Sequence, residues 1–551
     1  MTKQFHMLSF NSSVLYQPKK ENTMNKRHLF RLILPAFPPF NIYSGIAQST
    51  TSLGPVCVGT AANKLPNWDI EIIDENNCKD RFCPKDKDGY PDHIKLQEER
   101  PADVIGFYGS MTSAIPRLYK VAKLYKEMGI TTIAGGYHVR NLPEEALENY
   151  IDIVCLNEGE NVIRNILTQF ENAKLFDFVR GISFKNKNNE MVTTEEVEKQ
   201  ENLDELPFPD FNLVRYAKIK TYPIERSRGC NMNCEFCAVK DKSRCSSAEW
   251  MVAQIAHLVE TRKAKRFFNV SDHFVASGVN ESIKFCKLLK KYQDEKNVSI
   301  AMTIQIRIND AKHEELLIAM REAGIYNLAI GIESCIDEEL TAMNKGYKEK
   351  DILGWLKTYQ RHGFFVHGMM IFGYPEKEIN RINIPIKERI ERFREFITNL
   401  DTAQVLLPVP LPGTRLTERL REENRLYEEI GYEYYDGQFL LFEPDEGINP
   451  EELQNSAIEL MGSFYTPNYL IEVIKAILVF FPSIIFPRVV TLLSFRVRYL
   501  VQGFKSWHSK YFRNNAIRFG GSFIVKNWRK YFKQSDFLEK LKEAHNKKTS
   551  K

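Results

Sequence analysis

The 551-residue sequence lacks the features of secreted, disordered and membrane-spanning chains. Its ten cysteines are too few for a disulfide scaffold, and three of them fall within eight residues, which favours reduced thiols in the cytoplasm. Residues 1–27 contain no apolar signal-peptide core, so we expect this segment to be disordered, with Met24 as an alternative start. Apolar residues make up 43% of the chain and charged residues 27%, proportions that indicate a globular protein.

Acidic residues are scarce only at the carboxyl terminus. Residues 483–551 contain 16 lysines and arginines against 3 acids, whereas the preceding 482 residues contain 60 against 68. The net charge of +5 is therefore the sum of −8 in residues 1–482 and +13 in residues 483–551. The carboxyl-terminal region from residue 469 also lacks a long apolar run. Its longest charge-free part, Ala476–Pro487, has 12 residues, whereas a spanning helix needs about 20.

Three interpretations of the carboxyl-terminal module, residues 441–551, stay open. It is a helical cap whose apolar face packs on the body, or a surface that contacts the inner face of the membrane through residues 469–530. The third interpretation, nucleic-acid binding through basic and aromatic side chains, is disfavoured. All three predict a helical module.

Residues 28–185 alternate short apolar runs with amphipathic stretches, which predicts an α/β fold with a doubly wound sheet. The predicted strands are 29–34, 69–74, 103–107, 130–134 and 152–155. Ligands bind such sheets beyond the carboxyl ends of the strands, where small-residue turns occur here. The candidate ligand-binding residues in these turns are Ser110, Thr112, Gly135, Gly136, His138, Glu158 and Gly159. For His138, an ordinary capping or loop role is equally open.

Residues 186–221 are polar and then proline-rich, which predicts a linker. Residues 222–440 contain six further strand–helix units, which predict a partial (βα)6 barrel. Its predicted strands are 222–227, 266–270, 300–305, 328–332, 364–371 and 403–407. Active sites of such barrels lie at the carboxyl ends of the strands.

Three cysteines with Cys-x3-Cys-x2-Cys spacing, Cys230, Cys234 and Cys237, directly follow the first barrel strand. Thiolates this close together are soft ligands for iron–sulfur clusters or zinc. Cys245 is the only nearby candidate for a fourth ligand, and without it one iron of a four-iron cluster stays open for chemistry. Structural zinc and three unrelated thiols are the alternatives.

At these residues the chain resembles the radical S-adenosylmethionine superfamily, whose cysteine loop carries an aromatic residue where this chain has Phe236. The resemblance implies a [4Fe–4S] cluster that cleaves S-adenosylmethionine to a 5′-deoxyadenosyl radical, with an electron donor such as flavodoxin or ferredoxin. It also implies cofactor-binding residues at the next strand ends, namely Asp272, Gln305, Arg307, Gly331 and Glu333. Asp272 departs from the family's commoner Gly-Gly-Glu form.

The pairing of a doubly wound domain with this barrel resembles the cobalamin-binding, class B methyltransferase-like subgroup over about residues 28–440. It implies cobalamin, although the Asp-x-His-x-x-Gly motif that supplies a cobalt ligand is missing around His138, so loss of cobalamin stays an alternative. The leading hypothesis is methylation of an unactivated carbon on a small or lipid-like substrate. The alternatives are radical cyclisation or rearrangement without methyl transfer, and a zinc-stabilised membrane or nucleic-acid adaptor.

Overall fold

The computed structural model describes residues 27–172, 176–377, 384–485 and 495–550. The predictions for the amino-terminal segment up to residue 26, including Met24, lie outside the described residues.

An eight-stranded sheet forms the first domain, in the order β7-β6-β5-β4-β3-β1-β2-β8. Its strands are β1 His28–Leu34, β2 Trp68–Asp74, β3 Val104–Tyr108, β4 Thr131–Gly135, β5 Ile153–Cys155, β6 Ile182–Lys185, β7 Met191–Thr193 and β8 Val214–Arg215. The pairs that involve β6 are antiparallel and the others are parallel. The helices are α1 Ser44–Ala47, α2 Leu53–Ala62, α3 His93–Glu99, α4 Ile115–Glu127, α5 Tyr137–Asn141, α6 Pro143–Glu148 and α7 Gly159–Glu171.

Both faces of this sheet are covered, as the apolar runs of the sequence require. Phe30 and Leu32 of β1 belong to one buried cluster, while Leu29 and Ile33 belong to a second cluster on the opposite face. Arg31 is buried in the same strand because Glu71 accepts its Nε–H at 2.6 Å. The predicted doubly wound fold is confirmed.

The segment predicted only as a linker, residues 186–221, contributes to this sheet. Strand β7 extends one edge and β8 pairs with β2 at the other edge. The prediction missed both strands because an edge strand is short and half-exposed, so its sequence carries little apolar pattern.

The second domain is the predicted six-stranded partial barrel, ordered β16-β15-β14-β13-β12-β9 with every neighbouring pair parallel. Its strands are β9 Tyr222–Ile224, β12 Arg266–Asn269, β13 Ala301–Gln305, β14 Ile325–Glu333, β15 Phe365–Ile371 and β16 Thr402–Leu406, and a two-stranded ladder joins β10 Ser227–Arg228 to β11 Arg244–Cys245. The helices are α8 Ala248–Arg262, α9 Val279–Lys296, α10 Glu314–Glu322, α11 Asp337–Ala342, α12 Glu349–Arg361, α13 Ile386–Ile397 and α14 Arg415–Glu422.

The carboxyl-terminal region is helical, as predicted. Its helices are α15 Pro450–Phe464, α16 Tyr469–Ile485, α17 Phe495–Gln534 and α18 Phe537–Thr549. Trp528, Phe532 and Phe537 are buried in the large hydrophobic cluster that also contains Phe30 and Leu32, so the end of this region packs on the body as a cap. Among the described residues, no helix combines the length and the apolarity needed to cross a bilayer.

Candidate active site at the edge shared by the two domains

The cysteine loop is closed at its base by the β10–β11 ladder, in which Ser227 lies opposite Cys245. Gly229 begins the loop with a φ of +87°, and a Cβ there would lie 2.5 Å from the carbonyl oxygen of Lys242, so only glycine fits. The Cys230 N–H donates to the carbonyl of Asp241 at 2.9 Å. Cys245 therefore occupies the base of the loop, while the other three cysteines lie within it.

Two of the loop sulfurs accept hydrogen bonds. Val239 N–H donates to Cys237 Sγ at 3.4 Å, and Arg307 Nη2 donates to Cys230 Sγ at 3.3 Å. Burial raises the pKa of Cys237 to about 11, and burial also raises the pKa of Cys234 although the charge of Lys345 opposes the shift. Both thiols are thus protonated at neutral pH without metal, and a soft metal must displace their protons.

The donor set fits an iron–sulfur cluster, because thiolates are the usual ligands of such clusters and three half-buried cysteines lie in one loop. Within the part of the chain that the structure describes, no three His, Cys, Asp or Glu side chains converge so that they could hold one metal ion.

Two of the three residues predicted at the second and third strand ends contact this loop. The exposed Asp272 accepts the Gly229 N–H at 2.9 Å, immediately before the first cysteine. Gln305 is the half-buried last residue of β13, and its carbonyl accepts the Phe274 N–H at 3.0 Å. The structure therefore brings Asp272 and Arg307 into contact with the cysteine loop.

Glu333 ends β14 in a left-handed conformation, with a φ of +68° at a residue that is not glycine. The strand register shifts between Gly331 and Glu333. Lys345 Nζ lies 3.1 Å from Glu333 Oε1, and the Tyr347 hydroxyl donates to the Gly331 carbonyl at 3.1 Å. These two partners fix a strained strand end, and such strain is typical of functional sites.

Lys345 also connects this strand end to the cysteine loop, since its Nζ lies 6.0 Å from the ring centroid of Phe236. The Phe236 ring itself packs edge-on against Tyr374, with centroids 6.2 Å apart. Sequence reasoning missed Lys345 because no motif spacing relates it to the cysteines or to Glu333.

On the first domain, the predicted turns lie at the facing strand ends. Gly109 N–H donates to the Gly135 carbonyl at 2.8 Å, and Ser110 Oγ accepts the Tyr137 N–H at 3.1 Å. Gly136 lies between them with a φ of +131°. The two turns after β3 and β4 thus form one connected surface.

His138 is buried rather than open to this surface. Its Nδ1 lies 3.2 Å from Thr112 Oγ1 and its Nε2 lies 3.4 Å from Glu145 Oε1. Its ring also meets Tyr432 of the second domain edge-on, with centroids 4.7 Å apart. Both ring nitrogens have partners, so the structure gives His138 and Thr112 a packing role between the domains.

Ion pairs join Glu158 and its neighbours to the base of the cysteine loop. Arg244 pairs with Glu158, and Arg228 Nη2 donates to Glu160 Oε1 at 2.6 Å. A Cβ on Gly159 would lie 2.7 Å from Val58 Cγ2, so this glycine allows α7 to pack closely on α2. The two arginines were missed because their partners lie 86 and 68 residues away in sequence.

A small cleft, with a cavity volume of about 90 Å³, lies at the carboxyl ends of β1, β2 and β3. Leu34, Asp74 and Tyr108 line it at those strand ends, and the strand order reverses between β1 and β3. Thr50 also lines it, and its buried hydroxyl has no hydrogen-bond partner among the described residues. Ligands of doubly wound sheets bind where the strand order reverses, and the sequence indicated this place only through the turns that follow β3 and β4.

Comparisons with known proteins agree with this division of the chain. The family model for the radical SAM superfamily matches residues 224–383, and that for the B12 binding domain matches residues 46–167. An uncharacterized methyltransferase of Pyrococcus horikoshii is 26% identical over 352 residues, which cover 61% of this chain and 73% of that protein. The bacteriochlorophyllide d C-8(2)-methyltransferase of Chlorobaculum tepidum is 22% identical over 451 residues, which cover 75% and 88%.

A solved structure shares the fold over nearly the whole chain. It is the cobalamin-dependent S-adenosylmethionine radical enzyme OxsB with aqua-cobalamin and S-adenosylmethionine bound. The TM-score is 0.62 at 14% identity, over 96% of this chain and 84% of that one. This likeness includes the carboxyl-terminal helices.

Proposed function

We propose, on the premise that the chain belongs to the radical S-adenosylmethionine superfamily and to its subgroup with a B12-binding domain, that it methylates an unactivated carbon. The observation that carries the proposal is that one edge of the barrel lies against one edge of the first domain. The cysteine loop of the barrel and the turns of the first domain meet, held by Arg228 and Glu160. Methyltransferases among the relatives support the reaction class.

The cofactors of such an enzyme are a [4Fe–4S] cluster, S-adenosylmethionine and cobalamin. When bound, the cluster supplies one electron for radical formation and cobalamin carries the methyl group. We assign the cluster to Cys230, Cys234 and Cys237, of which Cys230 and Cys237 already accept an N–H at their sulfurs. Three protein thiolates leave one iron open for a further ligand.

The remaining predicted residues are assigned to a cofactor according to the domain on which they lie. For S-adenosylmethionine the binding residues are Phe236, Asp272, Gln305, Arg307, Gly331 and Glu333. For cobalamin they are Ser110, Gly135, Gly136 and Gly159, with the cleft near Tyr108 taking part of the molecule. Thr112, His138 and Glu158 support this site indirectly by holding the domains together, because each already has protein partners. The chain's own contribution is to orient both cofactors and to exclude water between them.

The experiment uses anaerobically reconstituted full-length protein and extract from a strain that lacks the gene. S-adenosylmethionine with a deuterated methyl group is added, and the extract is searched for a compound that gains the labelled methyl. Methylation predicts that compound together with S-adenosylhomocysteine and 5′-deoxyadenosine. Deoxyadenosine without methyl transfer supports cyclisation or rearrangement instead, and stoichiometric zinc without iron overturns both enzyme proposals.

The proposed substrate is small or lipid-like, and the proposed reductant is an electron-transfer protein such as flavodoxin or ferredoxin. A reducing cytoplasmic setting is supported by the cysteines, all ten of which are free thiols. We also propose that the carboxyl-terminal helices contact a membrane surface.

Helix α16 supports contact with a membrane surface because it exposes five large aliphatic side chains within nine residues. They are Leu470, Ile471, Ile474, Ile477 and Leu478, and they are 43–65% exposed. These positions recur at helical spacing and therefore form one stripe. On another side of the helix, Glu472 accepts a hydrogen bond from Tyr511 of α17, so the stripe faces away from that contact.

Charge favours an anionic bilayer as the partner of this stripe. Residues 469–530 contain 11 lysines and arginines and one acid, Glu472, although residues 486–494 lie outside the described part. Helix α17 adds the exposed Phe523 and Ile524 beside the exposed Lys526. Each basic residue near an anionic surface contributes about 1 kcal/mol, and buried aliphatic area adds to that.

Vesicle flotation tests this contact. Full-length protein should float with phosphatidylcholine–phosphatidylglycerol vesicles and bind pure phosphatidylcholine about tenfold more weakly. The variant Ile471→Asn/Ile474→Asn/Leu478→Asn should lose flotation, whereas Ile94→Asn/Ile318→Asn, which changes equally exposed side chains elsewhere, should keep it. Absence of flotation, or a self-association that only the first variant abolishes, overturns the membrane proposal.

A further inference from the structure

We infer that Arg307 and Lys345 raise the reduction potential of the cluster on the loop cysteines, an inference that rests on the proposed function. The two cations reach the loop from different strand ends. Arg307 follows β13 and donates to Cys230 Sγ at 3.3 Å. Lys345 follows β14 and α11, and its Nζ lies 6.0 Å from the ring centroid of Phe236, the loop residue that precedes Cys237.

The surrounding protein fixes the backbone of Arg307 and the side chain of Lys345. The Arg307 N–H donates to Asp310 Oδ2 at 3.2 Å, and the Arg307 carbonyl accepts the Tyr359 hydroxyl at 2.8 Å. The Lys345 side chain is only 12% exposed, with its Nζ 3.1 Å from Glu333 Oε1. Partial burial lowers the local dielectric constant, so these charges act more strongly than they would in water.

The two cations differ in how far they are neutralised. Among the described residues, no carboxylate forms an ion pair with the Arg307 guanidinium, so no such partner offsets the charge that it places against Cys230 Sγ. Lys345 shares its charge with Glu333. We therefore expect Arg307 to have the larger effect on the cluster.

The direction of the effect follows from electrostatics. Reduction adds one negative charge to a cluster that three thiolates already make negative. A fixed positive charge, or an N–H donor to a ligand sulfur, therefore stabilises the reduced form more than the oxidised form. Removing either cation should make the cluster harder to reduce.

The experiment is a redox titration of the anaerobically reconstituted full-length protein, monitored by EPR without S-adenosylmethionine. At the potential that half-reduces the wild type, Arg307→Met should lower the ratio of reduced to oxidised cluster by about tenfold or more, which is 59 mV for one electron. Lys345→Met should shift the ratio in the same direction by less, and Lys345→Arg should keep the wild-type value. Arg266→Met removes an exposed cation at the amino end of β12 and should also leave it unchanged.

A paired variant separates charge from structure. Lys345→Met/Glu333→Gln removes one positive and one negative group together, so its potential should lie between those of the wild type and Lys345→Met. Potentials equal to the wild type in Arg307→Met and Lys345→Met at full iron content overturn the inference. Should Arg307→Met lose iron, the Lys345 series decides alone, whereas wild-type protein without iron contradicts the proposed function instead.

Discussion

Arg228 donates to Glu160 at 2.6 Å and thereby joins the strand that leads into the cysteine loop to helix α7 of the first domain. The same guanidinium donates to Glu225 at 2.7 Å, and its side chain is only 16% exposed. These carboxylates raise the pKa of Arg228 although burial opposes the shift. A single cation thus holds two acids that belong to different domains.

Arg228→Met should destabilise the junction because it leaves two carboxylates without their cation. Breaking a buried ion pair costs about 3–5 kcal/mol, which the partial exposure here reduces. We expect a lower midpoint in urea unfolding and a lower cobalamin content. Arg262→Met, which removes an arginine from the end of α8, is the control, and equal losses in both variants would contradict a specific role for Arg228.

Replacement of Cys234 and replacement of Cys245 should have different effects on cluster formation. Cys234→Ala should abolish cluster formation and S-adenosylmethionine cleavage while the chain stays folded, because Cys234 lies within the loop. Cys245→Ala should keep the cluster, since Cys245 lies in the ladder opposite Ser227. Iron analysis and circular dichroism of both variants check this, and loss of iron in Cys245→Ala would favour a four-thiolate site.

Apolar runs predicted the strands well because parallel strands are buried on both faces. The run at 69–74 became β2 at Trp68–Asp74, and the run at 266–270 became β12 at Arg266–Asn269. Strands β7 and β8 escaped prediction because they lie at the sheet edges, where one side carries no partner strand, and the four-residue inner strand β6 was missed as well.

Local motifs predicted the part of the site that depends on spacing. The cysteine loop was identified because its three cysteines lie close together in the sequence. Arg228 and Lys345 were not, since their roles come from Glu160 and Glu333, which tertiary folding brings to them. His138 was predicted from its place after Gly136, but the sequence carried no sign of the Tyr432 ring that covers it.

The pH dependence of stability should contain a contribution from Asp436. Burial raises the pKa of this carboxyl to about 6, although Gln438 N–H and Ile42 N–H donate to it. Because the folded pKa lies above the unfolded value, the stabilising contribution is full below about pH 4 and is lost as the pH rises through about 6. Between about pH 5 and pH 7 the loss amounts to about 1 kcal/mol.

Asp436→Asn removes this titration and provides the matched comparison. The difference in unfolding free energy between wild type and variant should therefore fall by that amount over the same pH interval. Urea unfolding at both pH values measures it. Parallel pH profiles for the two proteins would show that Asp436 is already ionised at the lower pH.

Gly136→Ala should disturb the turn that faces the barrel. Gly136 has a φ of +131° and a ψ of 172°, a conformation that side-chain-bearing residues avoid at a cost of about 1–3 kcal/mol. A Cβ there would also lie 2.6 Å from the Ser110 backbone nitrogen, so the turn after β3 must move. We expect a lower unfolding midpoint and a weaker visible absorption from bound cobalamin after purification. Gly45→Ala is the control because a Cβ on Gly45 meets nothing within 4 Å, and equal cobalamin content in both variants would show that this turn does not contact the cofactor.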